Sequence, residues 1–266
     1  MRVLVIGGTR FIGPHVVRRL RERGAEVTVL HRTKCGDASH VHADRSQARG
    51  SFDAIVDMCS MTESDARAIA NVEGRIVVAS SADVYAQYDR VRGVESGESD
   101  APMTEESPLR SKLYPYGGDY EKILVENVVR ERGGTILRLP AVYGPGDARM
   151  REWIGAIVSM SDPQSHWRWT RGYVENVADA IALAAMDERA AGKTYNVGES
   201  DAPTEFDWVE WLGGRVNIVK ESPLPFVWRY DLATDTSAIR RDLGYFERVT
   251  REEAIARTIA SPSSRG

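Results

Sequence analysis

Val3-Leu4-Val5-Ile6-Gly7-Gly8-Thr9-Arg10-Phe11-Ile12-Gly13 decides the fold class of this chain of 266 residues. Four consecutive apolar residues stopped by two glycines predict a parallel strand covered on both faces. Pro14 then opens a segment in which Val16, Val17 and Leu20 share one face, and Gly24 closes it. That punctuation predicts a helix over residues 14–23. A helix that starts directly after a glycine-rich turn presents unpaired N–H groups and a partial positive charge, which suits a pyrophosphate. Gly7 and Gly13 stand at the two ends of a GxxGxxG turn whose middle position is Arg10. The loop residues Gly7, Thr9, Arg10, Phe11, Ile12 and Gly13 are therefore candidate dinucleotide contacts.

The same alternation continues outward. Strands are expected at 27–30, near Val41, at 54–57, 76–80 and 135–139, with helices near 65–71 and 120–132 between them. Strands separated by helices need crossover connections, so the expected fold is α/β, a Rossmann-type doubly wound parallel sheet. After Gly146 the pattern changes, and all six tryptophans lie beyond it. The expected division is a dinucleotide-binding domain over 1–146, rejoined by 172–198, and a small C-terminal substrate lobe from 147–171 and 199–266. Between Tyr88 and Pro115 periodicity is lost, and residues 89–106 carry a net charge of −4. A loop this long in a compact domain reads as a lid or a solvated excursion.

Composition narrows the function classes. The chain is 42% hydrophobic and 28% charged, with a net charge of −4, so it has no bulk basic field for nucleic acid or an anionic membrane. Because the −4 of residues 89–106 equals the whole, a local basic patch elsewhere remains open. Two cysteines, Cys35 and Cys59, make no disulfide framework, and the five histidines show no metal-ligand spacing. No segment approaches the ~18 apolar residues of a membrane span. The expectation is a cytoplasmic protein acting on a small molecule, without metal.

The end of the second strand bears on which dinucleotide is bound. An NAD site usually carries Asp or Glu there for the ribose 2′-hydroxyl, whereas this chain reads Leu30-His31-Arg32. Arg32 and Arg10 can pair a 2′-phosphate, so NADP is expected over NAD. His31, Arg32, Asp44 and Arg45 are candidate contacts on the adenine side, and Ala79 and Ser80 are candidates beside the nicotinamide.

Further pieces follow in order. They are Phe52-Asp53-Ala54-Ile55-Val56-Asp57, Ser80-Ser81-Ala82-Asp83-Val84-Tyr85, Tyr116-Gly117, Leu137-Arg138-Leu139-Pro140-Ala141-Val142-Tyr143-Gly144-Pro145-Gly146, Tyr173-Val174-Glu175-Asn176-Val177-Ala178 and Tyr195-Asn196-Val197-Gly198. Together with the glycine loop they resemble the extended short-chain dehydrogenase/reductases of the NAD-dependent epimerase/dehydratase family, over nearly the whole chain. The resemblance implies hydride transfer at a secondary alcohol or ketone, with nucleotide sugars as the common substrate. It implies catalytic roles for Ser81, Tyr116 and Lys122: a hydroxyl on the substrate oxygen, a phenol as acid/base, and a lysine that lowers the phenol's pKa and binds the nicotinamide ribose. The phenol's reference pKa of about 10 makes such a cation necessary at neutral pH.

The spacing departs from the family's Tyr-x-x-x-Lys, because Lys122 lies six residues after Tyr116 and Tyr120 stands between. On a regular helix that offset is about 240°, so the two converge only through a non-helical entry. Three readings are open: a rearranged Tyr116/Lys122 dyad, a substitution by Tyr120, or loss of the acid/base machinery. The last leaves a non-catalytic dinucleotide sensor, or a protein like the related RNA-binding factors. Asp83, Tyr143, Arg168 and Arg171 are candidate substrate contacts, with Asp83 equally readable as the cap of a helical turn. The family also dimerises through the helix that here is 120–132, where Ile123, Leu124, Val128 and Val129 serve either a homodimer seam or the sheet.

Overall fold

The structure, a computed structural model, describes residues 1–32, 40–69, 71–114 and 119–260. Its centre is a parallel sheet of seven strands. Six come early: β1 (Arg2–Ile6), β2 (Glu26–His31), β3 (His40–His42), β4 (Gly50–Asp57), β5 (Val72–Ser81) and β6 (Thr135–Leu139). β7 (Ala141–Tyr143) and β9 (Arg171–Tyr173) pair apart, as do β8 (Ile157–Ser161) and β11 (Arg215–Val219), while β10 (Thr194–Asn196) returns to the edge of the main sheet. The order β10-β6-β5-β4-β1-β2-β3 makes this the doubly wound Rossmann arrangement, with its switch point between β1 and β4.

Alternation along β1 builds both layers. Val3 and Val5 face α1 (Ile12–Glu22), while Leu4 and Ile6 join a cluster with α2 (Glu63–Arg67) on the opposite face. Of the next helices, α3 (Ala86–Val91) follows β5, and α4 (Lys122–Glu131) covers the second face with Val125, Val128 and Val129. Those two valines of the expected dimer seam are thus used by the sheet. The helices α5 (Ala148–Trp153) and α6 (Asp162–Ser165) precede α7 (Val174–Met186), which packs on α1 and buries alanine on nearly every side. Beyond it lie α8 (Glu205–Trp211), α9 (Ser237–Leu243) and α10 (Arg251–Ala260). Ile239 and Leu243 of α9, with Tyr245, join the main core rather than the small lobe.

The acidic stretch after Tyr88 is fastened down. Arg90 pairs with Asp100, Gln87 donates to Ser99 Oγ at 2.8 Å, Met103 is fully buried, and Glu105 Oε1 accepts from the Asn196 N–H at 2.7 Å. Asp100 and Glu105 are thereby held, while Glu98 and Glu106 stay exposed.

Candidate active site

The β1–α1 turn is tight. Gly7 has φ +92°, and a Cβ on Gly13 would stand 2.4 Å from the Gly7 carbonyl oxygen, so α1 begins in contact with the turn. Phe11, the residue before α1, has φ 43° and makes no side-chain cap, and the first turn holds no acid. Thr9, Arg10 and Phe11 are exposed, which leaves the uncapped helix start beside an open loop. These features fit a pyrophosphate.

On the adenine side, Arg32 is exposed and follows β2. His31 is buried, and its Nε2 lies 2.8 Å from His40 Nδ1. Asp44 caps the next turn, with Oδ1 accepting from the Ser46 hydroxyl at 2.6 Å and the Ser46 N–H at 2.9 Å, which hold its carboxyl below the usual range. Arg45 departs from expectation. Its guanidinium turns inward, donating to Ser60 Oγ at 2.8 Å and Asp57 Oδ2 at 3.3 Å, because Asp57 is buried and needs a counter-charge.

Ser80 is also corrected: its hydroxyl donates to Glu126 Oε1 at 2.6 Å, on the α4 side of the sheet. Arg138 grips the same buried Glu126 through both carboxylate oxygens, at 3.0 and 2.9 Å. Ser80 thus belongs to a structural network beneath the site. Alternation along β5 places Ser81 on the other side.

At the carboxyl end of β5 the structure gathers Ser81, Asp83, Tyr120 and Lys122. Ser81, and not Asp83, caps the turn after β5, accepting from the Asp83 N–H at 3.3 Å. Asp83 Oδ2 instead accepts from the Tyr120 hydroxyl at 2.7 Å, while Asp83 Oδ1 is buried without a hydrogen-bond partner among the described residues. Burial and then this carboxylate push the Tyr120 pKa far up, so its phenol stays protonated. Glu121 is extended and caps α4, which makes Lys122 the first helical residue and removes the regular-helix objection to the six-residue offset. Lys122 is 4% exposed, and its Nζ donates to the carbonyls of Ser60 at 2.6 Å and Ala79 at 3.0 Å. Burial lowers its pKa, opposed by Asp57 and Asp83.

Tyr116 lies outside the described residues. Its flanks are pinned: Glu121, paired with fully buried Arg110 at 2.8 Å, also accepts from the Tyr114 N–H at 2.9 Å. Arg110 in turn donates to the Asp83 carbonyl at 2.7 Å. Tyr114 and Glu121 are thereby linked through Arg110 to Asp83.

Of the other candidates, Tyr143 is core. It is 1% exposed, donates to Glu199 Oε1 at 2.8 Å and packs on Trp208. Arg168 is exposed and holds the Ala202 carbonyl at 2.8 Å. Arg171 is 2% exposed rather than at a rim, paired with Glu205 at 2.6 Å. Its Nη1 has no hydrogen-bond partner among the described residues, and with Arg149 and Trp169 it lines a cavity of about 220 Å³. Among the described residues no group of acids, histidines and cysteines could hold a metal, and no helix is long and apolar enough to cross a membrane.

A model of the NAD dependent epimerase/dehydratase family matches residues 3–70 and 55–198. The chain belongs to this family. A dTDP-4-dehydro-6-deoxy-D-allose reductase from Streptomyces is 30% identical over 192 residues, 54% of this chain and 57% of the relative. The chain thus spans a little over half the length of that curated relative. Among solved family folds, UDP-N-acetylglucosamine 4-epimerase from Bacillus cereus superposes with TM-score 0.73 at 21% identity, over 97% of this chain and 95% of that one. A short-chain dehydrogenase/reductase superfamily protein from Agrobacterium tumefaciens with bound NAD gives 0.72 at 20% identity, over 97% and 95%.

Two side-chain pairings carry no periodic signal in the sequence: Arg45 with Asp57, 12 positions apart, and Tyr120 with Asp83, 37 positions apart.

Proposed function

We propose that this protein binds a nicotinamide dinucleotide across the carboxyl ends of β2, β1, β4 and β5. There it catalyses redox at a secondary alcohol or ketone, net or transient, in a nucleotide sugar or related small molecule. The observation that carries this reading is the convergence of Ser81, Tyr120 and the Lys122 ammonium at the end of β5, the strand next to β4 at the switch point. When bound, the nicotinamide exchanges a hydride with the substrate carbon. Ser81 holds the substrate oxygen by a hydrogen bond, and Tyr116 gives or takes the proton at that oxygen. Lys122 binds the ribose on the nicotinamide side. Tyr120, locked to Asp83, forms a neutral wall of the site and is no base. The nucleotide-sugar reading is supported by the cavity at Arg149, Arg171 and Trp169, where a buried guanidinium nitrogen lacks a hydrogen-bond partner among the described residues. An anionic group would satisfy it.

For the dinucleotide we favour NADP. The Agrobacterium relative holds NAD, but here no carboxylate ends β2, and Arg10 and Arg32 stand exposed.

The test is turnover of dTDP- and UDP-linked 4-keto sugars with NADPH and NADH, comparing Tyr116→Phe with Tyr120→Phe. Removing the acid/base should cost about 10²–10⁴-fold in kcat. The expected outcome is that loss in Tyr116→Phe and a much smaller one in Tyr120→Phe. The reverse order moves the acid/base role to Tyr120. Tight dinucleotide binding without turnover of any ketone leaves a non-catalytic sensor.

A further inference from the structure

The buried end of β4 carries an arrangement that the reaction scheme does not use. Asp57 is 1% exposed, and both its oxygens are engaged. Oδ1 accepts from the N–H groups of Cys59 at 2.9 Å and Ser60 at 3.0 Å. Oδ2 accepts from Ser60 Oγ at 2.5 Å and from Arg45 at 3.3 Å. Four donors offset the cost of burying the carboxylate, and they wrap residues 58–60 around it. One consequence reaches Lys122, because the Ser60 carbonyl is one of the two acceptors of its ammonium. An ammonium on a flexible four-carbon stem points in a fixed direction only when acceptors hold it, and it has three donors. Two are spent on Ser60 and Ala79, and the third N–H has no acceptor among the described residues.

We infer that Asp57 is a positioning residue for Lys122: it folds residues 58–60 so that the Ser60 carbonyl, with that of Ala79, directs the third N–H of the ammonium to the nicotinamide-side ribose. The inference rests on the dinucleotide reading above and deepens it. Arg45 is the buttress of this arrangement, which explains why it turns away from the adenine side. The groups acting on the ammonium are Asp57, Asp83 and Cys59, which favour its charge, and Arg45, which opposes it.

Three probes that lack a 2′-phosphate separate the parts of the crevice: ADP ends at the pyrophosphate, ADP-ribose adds the ribose, and NADH adds the nicotinamide. Calorimetric titration of wild type, Lys122→Met, Asp57→Asn and the double variant reads them. Loss of a hydrogen bond from a charged donor weakens binding about tenfold. Both single variants are expected to lose that factor for ADP-ribose and NADH while ADP binding stays unchanged. The double variant should be no weaker than Lys122→Met. A pH series adds a readout that a loosened fold would not give. ADP-ribose affinity falls as pH rises and the ammonium is lost, and in Asp57→Asn this fall comes at lower pH, since a carboxylate favouring the charge is gone.

Should Asp57→Asn fail to fold, Ser60→Ala takes its place, with a loss of about threefold confined to the ribose-bearing probes. Equal losses on ADP, or multiplied losses in the double variant, overturn the inference. A wild type that binds none of the probes, and NADPH no better, removes the dinucleotide reading and this inference with it. Binding of all three that Asp57→Asn leaves untouched removes the inference alone.

Discussion

At the β1–β2 end of the crevice the cations Arg10 and Arg32 are exposed, and neither hydrogen-bonds through its side chain to another described residue. At the β4–β5 end Lys122 is buried and Arg45 nearly so, and each is tied to carbonyls, a hydroxyl or carboxylates of its own chain. The difference teaches how the two halves divide labour. Exposed charges cost little to change and suit the choice between related ligands. Buried ones are fixed by networks whose members cannot change singly, which suits a geometry that must be held.

The largest break is expected under the buried half. Arg138→Met leaves Glu126, which is fully buried, with only Ser80 and Arg130 as side-chain partners. Removing one member of a buried ion pair costs up to about 3–5 kcal/mol, and because Arg130 and Ser80 still hold Glu126, urea unfolding should show a loss of about 2–3 kcal/mol. A change below about 1 kcal/mol would mean that the network is solvated and the contrast between the halves is false.

Gly13→Ala attacks the exposed half through its backbone. Its Cβ would meet the Gly7 carbonyl oxygen at 2.4 Å and the Gly8 carbonyl carbon at 2.6 Å, neither of which can rotate away. Binding of ADP, measured by calorimetry, should fall at least ~10-fold as the turn opens. ADP binding equal to wild type would remove the β1–α1 turn from the site.

These two positions also show what a sequence carries. Gly13 was legible because the turn is local: strand, glycines and helix follow within eleven residues, and each choice agrees with its neighbours. The sheet was legible for the same reason, from four-residue apolar runs such as Val3–Ile6. Arg138, Asp57 and Arg45 were not, because an ion pair such as Arg45–Asp57 depends on which strand ends the fold brings side by side. The error over Arg45 is instructive. An arginine in a polar loop reads as solvent-facing, and only the buried Asp57 behind it explains why it turns inward. Tyr120 was weighed as a helix residue, yet with Glu121 extended the helix starts two residues later, at Lys122, and the phenol is free to meet Asp83.

Arg32→Ala sharpens the contrast from the exposed side. Losing a charge-assisted pair to a 2′-phosphate should weaken NADPH about tenfold while NADH changes less than about twofold, with no shift in stability beyond ~0.5 kcal/mol. Titration of both reduced dinucleotides by their nicotinamide fluorescence checks it. Equal losses for the two would place Arg32 outside the choice of dinucleotide.

The smallest expected effect is at Phe11, where the exposed loop holds strain. Its φ of 43° is in the left-handed region, and the ring is 42% exposed, so packing repays little of the strain. Such a residue costs about 1–3 kcal/mol in strain, whereas glycine in its place costs about 0.5–1 kcal/mol in chain entropy. Phe11→Gly should therefore raise the unfolding free energy by about 0.5 kcal/mol. If the ring instead helps to cover a bound pyrophosphate, the same variant is more stable yet binds ADP more weakly, a split that chemical denaturation and calorimetry read separately. A variant less stable than wild type would show that the exposed ring packs well enough to outweigh the strain, and that this half of the crevice is less loosely built than its exposed arginines suggest.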